Sequence, residues 1–145
     1  MKCFVATGES APKPCIHVWN VFNTEPFKIL KTNHKNGIYD LVFSRDSSLI
    51  VSIGIDENYS IQVTNWKTEV IVAFRNSGTF PIYGVTFNPY NRYEFATCGY
   101  QNVTVWSVQG RNLIRNRVVG VGEEMRYSNA CFITCLSYIS YLLGD

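Results

Sequence analysis

The sequence is poor in the residues from which most catalytic and metal sites are built. It has 2 histidines among 145 residues, and its 5 cysteines include no Cys-x-x-Cys pair. It also contains no His-x-x-x-His and no Gly-x-Ser-x-Gly segment, which are the spacings typical of zinc and serine hydrolases. We therefore expect a protein that is not an enzyme and that has no metal ion or other cofactor.

Strong charge and long apolar runs are also missing. The formal net charge is only +2, which is too mild to imply nucleic acid as a partner. The apolar stretch at 130–143 contains Thr, Ser and Tyr and is too short for a membrane span, and no signal-peptide pattern follows Met1. The odd number of cysteines fits free thiols in a reducing compartment. These features predict a cytoplasmic protein without nucleic-acid or membrane partners.

A recurring glycine divides the chain at a near-constant interval. Gly8, Gly54, Gly99 and Gly144 are separated by 46, 45 and 45 residues. The first three glycines close similar segments, VATG, VSIG and ATCG. A fixed period of this size is the signature of a repeat architecture, so the chain is expected to consist of a series of similar units.

Each unit contains short segments of the kind that form β-strands. After each of the first three glycines comes an alternating segment: IHVW at 16–19, IQVT at 61–64 and VTVW at 103–106. Before two of the glycines, IYDLVFS matches IYGVTFN, and a third copy is expected around 132–137. A further strand is expected at 27–31, 70–74 and 113–118. With Gly, Asn, Asp and Pro between the segments, the pattern predicts four strands per unit and no long helix.

Four strands in a unit of about 40–45 residues describe the blade of a β-propeller, and these units resemble WD40 repeats. The resemblance rests on His34 before the first strand of the second unit, Ser52 in its second strand and Asp56 in the next turn. In WD40 proteins such residues form a hydrogen-bonded network with a tryptophan and tie the blade together. The tryptophans assigned to this network are Trp19, Trp66 and Trp106, although Trp66 follows the usual position, occupied by Thr64, by two residues.

The length of the chain predicts an open arc of blades. A closed propeller has at least four blades and therefore roughly 160 residues, which exceeds the length of this sequence. The expected fold is all-β, a partial WD40-type β-propeller with about three four-stranded blades, cut from a larger chain. Its blade pieces are expected at about 1–32, 33–76, 77–119 and 120–145. An arc leaves open sheet edges, so the remaining blades are expected from the same or another chain.

The order of the motifs also resembles the echinoderm microtubule-associated protein-like (EMAP-like) family. The resemblance runs from VATGE and the extended turn SAPKP, through SIGID and a strand ending near Trp66, to Gly110, Leu113 and Arg117. Members of that family carry tandem propellers and bind microtubules, and related propellers decorate ciliary axonemes. The resemblance implies tubulin and other cytoskeletal or ciliary proteins as partners. It also implies a location on cytoplasmic microtubules or in the axoneme of a cilium or flagellum.

Basic side chains are candidates for contact with an acidic partner. Arg111, Arg115 and Arg117 have spacings that place them on one face of an outermost strand, and Lys28 and Lys31 form a second, weaker patch. Microtubule surfaces are acidic, so an exposed arginine row favours docking by long-range attraction. The alternative is that these arginines protect an edge strand from pairing and keep it soluble.

Two functions are therefore open at this point. The first is a propeller fragment that binds microtubules and displays its loops to protein partners. The second is a generic WD40 scaffold that assembles a protein complex unrelated to tubulin, because one fold hosts many functions.

Overall fold

The structure, a computed structural model, describes residues 3–100 and 102–120, with side-chain environments up to residue 116. Within these ranges every regular element is a β-strand. The eleven strands are β1 Phe4–Gly8, β2 Cys15–Asn20, β3 Pro26–Lys31, β4 Ile38–Phe43, β5 Leu49–Gly54, β6 Ser60–Asn65, β7 Val70–Asn76, β8 Ile82–Phe87, β9 Glu94–Gly99, β10 Asn102–Gln109 and β11 Asn112–Gly120. The prediction of an all-β chain is confirmed.

The strands form three antiparallel sheets in chain order. The first sheet is β1-β2-β3, the second is β4-β5-β6-β7 and the third is β8-β9-β10-β11, each pairing consecutive strands. β1 and β8 both contact β4, and β7 contacts β11, so each sheet packs on the next one along the chain. The piece expected beyond residue 120, with its strand copy around 132–137, lies outside the described residues.

The second sheet is covered on both faces, and its sequence reflects this. Every residue of β5 is buried, and apolar residues therefore stand at consecutive positions of that strand. In β2 of the first sheet, by contrast, only Ile16 and Val18 are fully buried, and they alternate with half-buried neighbours. β5 is thus covered on both faces, whereas β2 has one fully buried face.

The apolar core is divided into two clusters, each between adjacent sheets. The cluster between the first and second sheets contains Ile16, Val18, Leu30, Ile38, Ile50 and Trp66. The larger cluster between the second and third sheets contains Leu49, Val51, Ile53, Ile61, Val63, Ala73, Ile82, Phe87, Phe95, Trp106, Val108 and Leu113. Each interface between sheets therefore has a core of its own.

Long basic side chains bond across the sheet boundaries to main-chain carbonyls. Lys28 Nζ donates to Lys67 O at 2.6 Å, between the first and second sheets. Arg75 Nη1 donates to Leu113 O at 2.8 Å, and Arg115 Nη2 donates to Ser77 O at 2.7 Å, between the second and third sheets. We call these three contacts the inter-sheet bridges.

A β-bulge recurs at the same place in all three sheets. The register between the last two strands shifts at Val18/Trp19, at Val63/Thr64 and at Val105/Trp106, next to the tryptophan position of each unit. A bulge inserts one unpaired residue and interrupts the alternation of side chains along the strand. The recurrence shows that the bulge belongs to the repeating unit.

Candidate functional site

A buried polar network lies at one end of the second sheet, around His34. His34 is 2% exposed, and its ring lies between two hydroxyls, with Nε2 at 2.8 Å from Ser52 Oγ and Nδ1 at 2.6 Å from Ser60 Oγ. Ser60 in turn donates from its Oγ and its main-chain N to the Asp56 carboxylate, at 2.6 and 2.8 Å. The network therefore joins the segment before β4, strand β5, the next turn and the start of β6.

The hydrogen bonds between Asp56, Ser60 and His34 Nδ1 can be ordered in only one direction. The Ser60 hydroxyl donates to Asp56, so it must accept from His34 Nδ1–H. In the neutral ring the other nitrogen carries no hydrogen and accepts from the Ser52 hydroxyl. A neutral His34 therefore carries its proton on Nδ1.

The electrostatic environment agrees with this assignment. Burial lowers the pKa of His34 to about 4, against the opposing effect of the Asp56 charge. Burial alone would raise the pKa of Asp56, but the hydrogen bonds from Ser60 outweigh it and hold that pKa below its ordinary value. A neutral ring thus faces an ionised carboxylate, with the Ser60 hydroxyl between them.

The periodic glycine is required where this network crosses the backbone. A Cβ atom on Gly54 would lie 2.5 Å from both His34 Nδ1 and Ser60 Oγ, which is closer than real Cβ contacts. A Cβ on Gly99 would lie 1.9 Å from Pro81 O. In both units the strand therefore ends on glycine because another group occupies the space of a side chain.

The first and third sheets carry the tryptophan part of the WD40 pattern. Trp106 Nε1 donates to Thr97 Oγ1 at 2.9 Å in the third sheet, and Trp19 Nε1 donates to Thr7 Oγ1 at 2.8 Å in the first. In the second sheet the corresponding Thr64 accepts from Gln62 Nε2 instead. Sequence reasoning missed Thr97 as a partner, although it precedes the periodic glycine by the same two positions as Ser52.

Trp66 lies outside the polar network to which the sequence analysis assigned it. Ser52 pairs with Gln62, whereas Trp66 follows β6 in the turn at the opposite end of the strand, beyond reach of Ser52. Its Nε1 donates to Ser47 O at 2.8 Å. Its ring lies 5.0 to 6.4 Å from three phenylalanine rings, those of Phe4, Phe27 and Phe43. Trp66 is therefore a core residue between the first and second sheets.

The structure also corrects the expected row of arginines. Arg111 is in the exposed turn before β11, not on the strand. Arg115 pairs with Trp106 and Arg117 pairs with Val105, so Asn116 between them is the extra residue of the bulge. The bulge interrupts the alternation on which the expected row depended, and Arg111 and Arg115 do not share a strand face, because Arg111 lies in the turn.

Arg115 is part of the contact between the second and third sheets. Its guanidinium lies 5.1 Å from the centre of the Trp106 ring, and Arg75 of the second sheet lies 5.5 Å from the same ring. Both arginines also form inter-sheet bridges. Sequence reasoning missed Arg75, because its acceptor is a main-chain carbonyl of another unit and leaves no residue signal.

The two lysines of the expected second patch have different environments. Lys28 bonds to Lys67 O and forms an ion pair with Glu69 Oε1 at 2.9 Å, which leaves it engaged between sheets. Lys31 lies exposed at the end of β3. Among the basic residues proposed for partner contact whose side chains are described, Arg111 and Lys31 are therefore the two that form neither an inter-sheet bridge nor an ion pair.

The described part of the chain offers no group of three or more His, Cys, Asp or Glu side chains that could hold a metal ion. In the same residues, no helix is long and apolar enough to cross a membrane.

Comparison with known proteins defines the class of fold. No family model matches the sequence. The chain is 17% identical to the β-propeller domain of Cps50 (Swd1) from Myceliophteria thermophila, with a TM-score of 0.68 over 80% of this chain and 35% of that one. The predicted fold is confirmed: the chain is an unclosed part of a WD40-type β-propeller.

Two curated relatives are similar in sequence. One is Cilia- and flagella-associated protein 44 of Mus musculus, 24% identical over 107 residues, which are 74% of this chain and 6% of that protein. The other is WD repeat-containing protein 90 of Xenopus tropicalis, 29% identical over 138 residues, which are 92% of this chain and 7% of that protein. The chain thus spans less than a tenth of the length of either relative.

Proposed function

We propose that this chain is part of a non-enzymatic propeller scaffold that binds microtubules and other proteins of a cilium or flagellum. The observation that carries the proposal is the similarity to Cilia- and flagella-associated protein 44 over 74% of the chain. The order of motifs that resembles the EMAP-like family supports tubulin as a partner. The proposed location is accordingly the cytoskeleton, on microtubules or on an axoneme.

The geometry of the arc suits the display of loops from a stiff support. Each sheet is joined to the next by an apolar core and by inter-sheet bridges. Stacked repeats of this kind contact mainly their neighbours and present their turns in a fixed order. Binding specificity then resides in the turns, which are free to vary in sequence.

Co-sedimentation with polymerised microtubules tests the proposal. The full-length protein is expected in the pellet with microtubules, in an amount that falls as salt rises, because exposed charges are screened. The variants Arg111→Glu and Lys31→Glu are expected to reduce binding, since they reverse the two exposed basic contacts. The control Lys28→Met tests whether any loss follows from damage between sheets.

Two outcomes would each overturn one part of this proposal, either tubulin as the partner or the residues that dock it. If the full-length protein stays in the supernatant at low salt, tubulin is not its partner, and the generic scaffold for another protein complex stands. If it sediments with microtubules but both variants bind as the wild type does, tubulin docks elsewhere than at Arg111 and Lys31.

A further inference from the structure

We infer that a groove between the second and third sheets is the docking site for an extended acidic segment of a partner protein. The groove lies where the turn after β4 meets the turn after β8 and has a volume of about 430 Å³. It is lined by Arg45, Asp46, Pro89, Tyr90 and Arg92. The inference rests on the proposed scaffold function, but it does not require that the partner be tubulin.

One of the two arginines is held in place by its neighbours. Arg92 Nη1 lies 3.1 Å from Asp46 Oδ2, its Nη2 donates to the Tyr93 hydroxyl, and its guanidinium lies 4.7 Å from the centre of the Tyr93 ring. Asp46 itself accepts hydrogen bonds from Ser44 Oγ and from Ser48 N and Oγ. These contacts restrict the orientation of the Arg92 guanidinium, which lowers the entropy that a partner must remove on binding at this wall of the groove.

The charge of Asp46 is maintained by the same contacts. Burial works to raise the pKa of Asp46, but hydrogen bonds from Ser44, Ser48 and Arg92 outweigh it and lower that pKa well below its ordinary value. Asp46 therefore stays ionised and balances the charge of Arg92.

The second arginine has no such counter-charge. The only hydrogen bond of the Arg45 side chain to the described residues is a long one, from Nη1 to Pro89 O at 3.3 Å, and no carboxylate in that part of the chain pairs with it. A guanidinium of this kind can bind an incoming carboxylate through two parallel hydrogen bonds.

Two exposed aromatic rings belong to the turn after β8: Tyr90 lines the groove with Arg45, and Tyr93 packs against Arg92. Tyr90 is 66% exposed and Tyr93 is 44% exposed, although both are large aromatic residues. Their backbone is held by asparagine side chains, because Tyr90 N donates to Asn88 Oδ1 and Tyr93 N to Asn91 Oδ1. Arginine and tyrosine on a rigid turn are the residue types that carry most of the binding energy at protein interfaces.

The balance of charge identifies the occupant. One uncompensated arginine beside a tyrosine suits one Asp or Glu side chain of an extended acidic segment. Nucleic acids are bound instead through several phosphate contacts, which this groove does not provide. The chemistry therefore fits an acidic segment lying across the two turns, with its carboxylate on Arg45 and its backbone against Tyr90.

Fluorescence anisotropy of a short labelled peptide of alternating Glu and Gly tests the inference on the full-length protein. A matched peptide with Gln in place of Glu is expected to bind at least about 5-fold more weakly, as is Arg45→Gln with the Glu peptide. Tyr90→Ala is expected to weaken binding by a similar factor, and Arg45→Lys by less, because the charge remains without the fork. Lys67→Gln, an equal charge change at the same end of the second sheet, is expected to have no effect.

Several results would overturn the inference. Equal binding of the Glu and Gln peptides would show that the carboxylate has no role. A loss of affinity in Lys67→Gln equal to the loss in Arg45→Gln would show that only net charge matters. Tighter binding of a single-stranded oligonucleotide of equal charge would assign the groove to nucleic acid. Each variant is checked by circular dichroism, and Arg45→Lys serves if Tyr90→Ala fails to fold. If the wild-type full-length protein does not bind the Glu peptide but co-sediments normally with microtubules, this inference alone is refuted.

Discussion

His34 couples the stability of the second sheet to pH. Its ring is neutral in the folded chain and fills the space between two serine hydroxyls, so protonation would turn the Ser52 hydroxyl from donor to acceptor and place a positive charge in a buried site. The low pKa of His34 in the folded chain reflects how strongly burial disfavours the charged ring. The residue is therefore a structural part of the sheet whose effect on stability can be tested by titration.

Stability of the second sheet is expected to fall as the pH falls from about 6.5 to about 4. The pKa of His34 is lowered from 6.5 to about 4 on folding. Between those values the unfolded chain binds the proton more readily, so the stabilisation is complete above pH 6.5 and is lost towards pH 4. The whole effect amounts to about 3 kcal/mol. Native-state hydrogen exchange of β5 and β6 amides, corrected for intrinsic rates, measures it.

The control for this titration is His34→Gln, which removes the titrating group. In that variant the opening free energy of the same amides should be lower at neutral pH and nearly flat between pH 4 and 6.5. An unchanged pH slope in the variant would show that other groups, and not His34, cause the loss.

At the scale of the strand, Arg111 and Arg115 have different roles because Arg111 lies in the exposed turn and Arg115 lies on β11. Arg115→Gln is expected to destabilise the fold by about 1–2 kcal/mol, because it loses the contact with the Trp106 ring and the bond to Ser77 O. Arg111→Gln, in the adjoining exposed turn, is expected to change stability by less than about 0.5 kcal/mol. Thermal unfolding of the two variants measures the difference, and equal stability would contradict the structural role of Arg115.

The strands were predictable from sequence because local rules determine them. The spacing of Gly54 and Gly99 reflects close approach of other atoms to the backbone, and the alternation in IHVW and VTVW reflects one buried face. These two signals were sufficient to predict the all-β repeat fold. The resemblance to WD40 repeats, and not these two signals, implied that His34, Ser52 and Asp56 belong to one network.

What the sequence could not show depends on contacts between units. An extra residue such as Asn116 has no characteristic residue type, so the bulge and its effect on Arg115 were not foreseen. The acceptor of Arg75 is a carbonyl, which every residue possesses, and the acceptor therefore leaves no mark in the sequence. Trp66 was assigned to the polar network because it lies only two residues after Thr64, which occupies the position where the WD40 pattern has its tryptophan.

At the scale of the whole arc, the two core clusters are expected to respond separately to mutation. Trp66→Ala removes the ring packed among phenylalanines between the first and second sheets and is expected to cost about 3–5 kcal/mol. In a stack of repeats the free energy is lost mainly at the interface that contains the substitution. Hydrogen exchange should therefore accelerate in β1–β3 more than in β8–β10.

The matched variant for this experiment is Trp106→Ala, which removes a buried ring of the other cluster. It is expected to accelerate exchange in β8–β10 more than in β1–β3. If both variants accelerate exchange equally in all three sheets, the arc unfolds as one cooperative unit and the two clusters are not energetically separate.

The inter-sheet bridges have a consequence for how such a protein can evolve. Each bridge needs one long basic side chain, whereas its acceptor on the neighbouring sheet is a carbonyl present at every position. A neighbouring repeat can therefore exchange its side chains at the acceptor position without breaking the bond. Descendants of one ancestral repeat can diverge until little common sequence remains and still dock on one another, which allows duplicated repeats to acquire new partners one turn at a time.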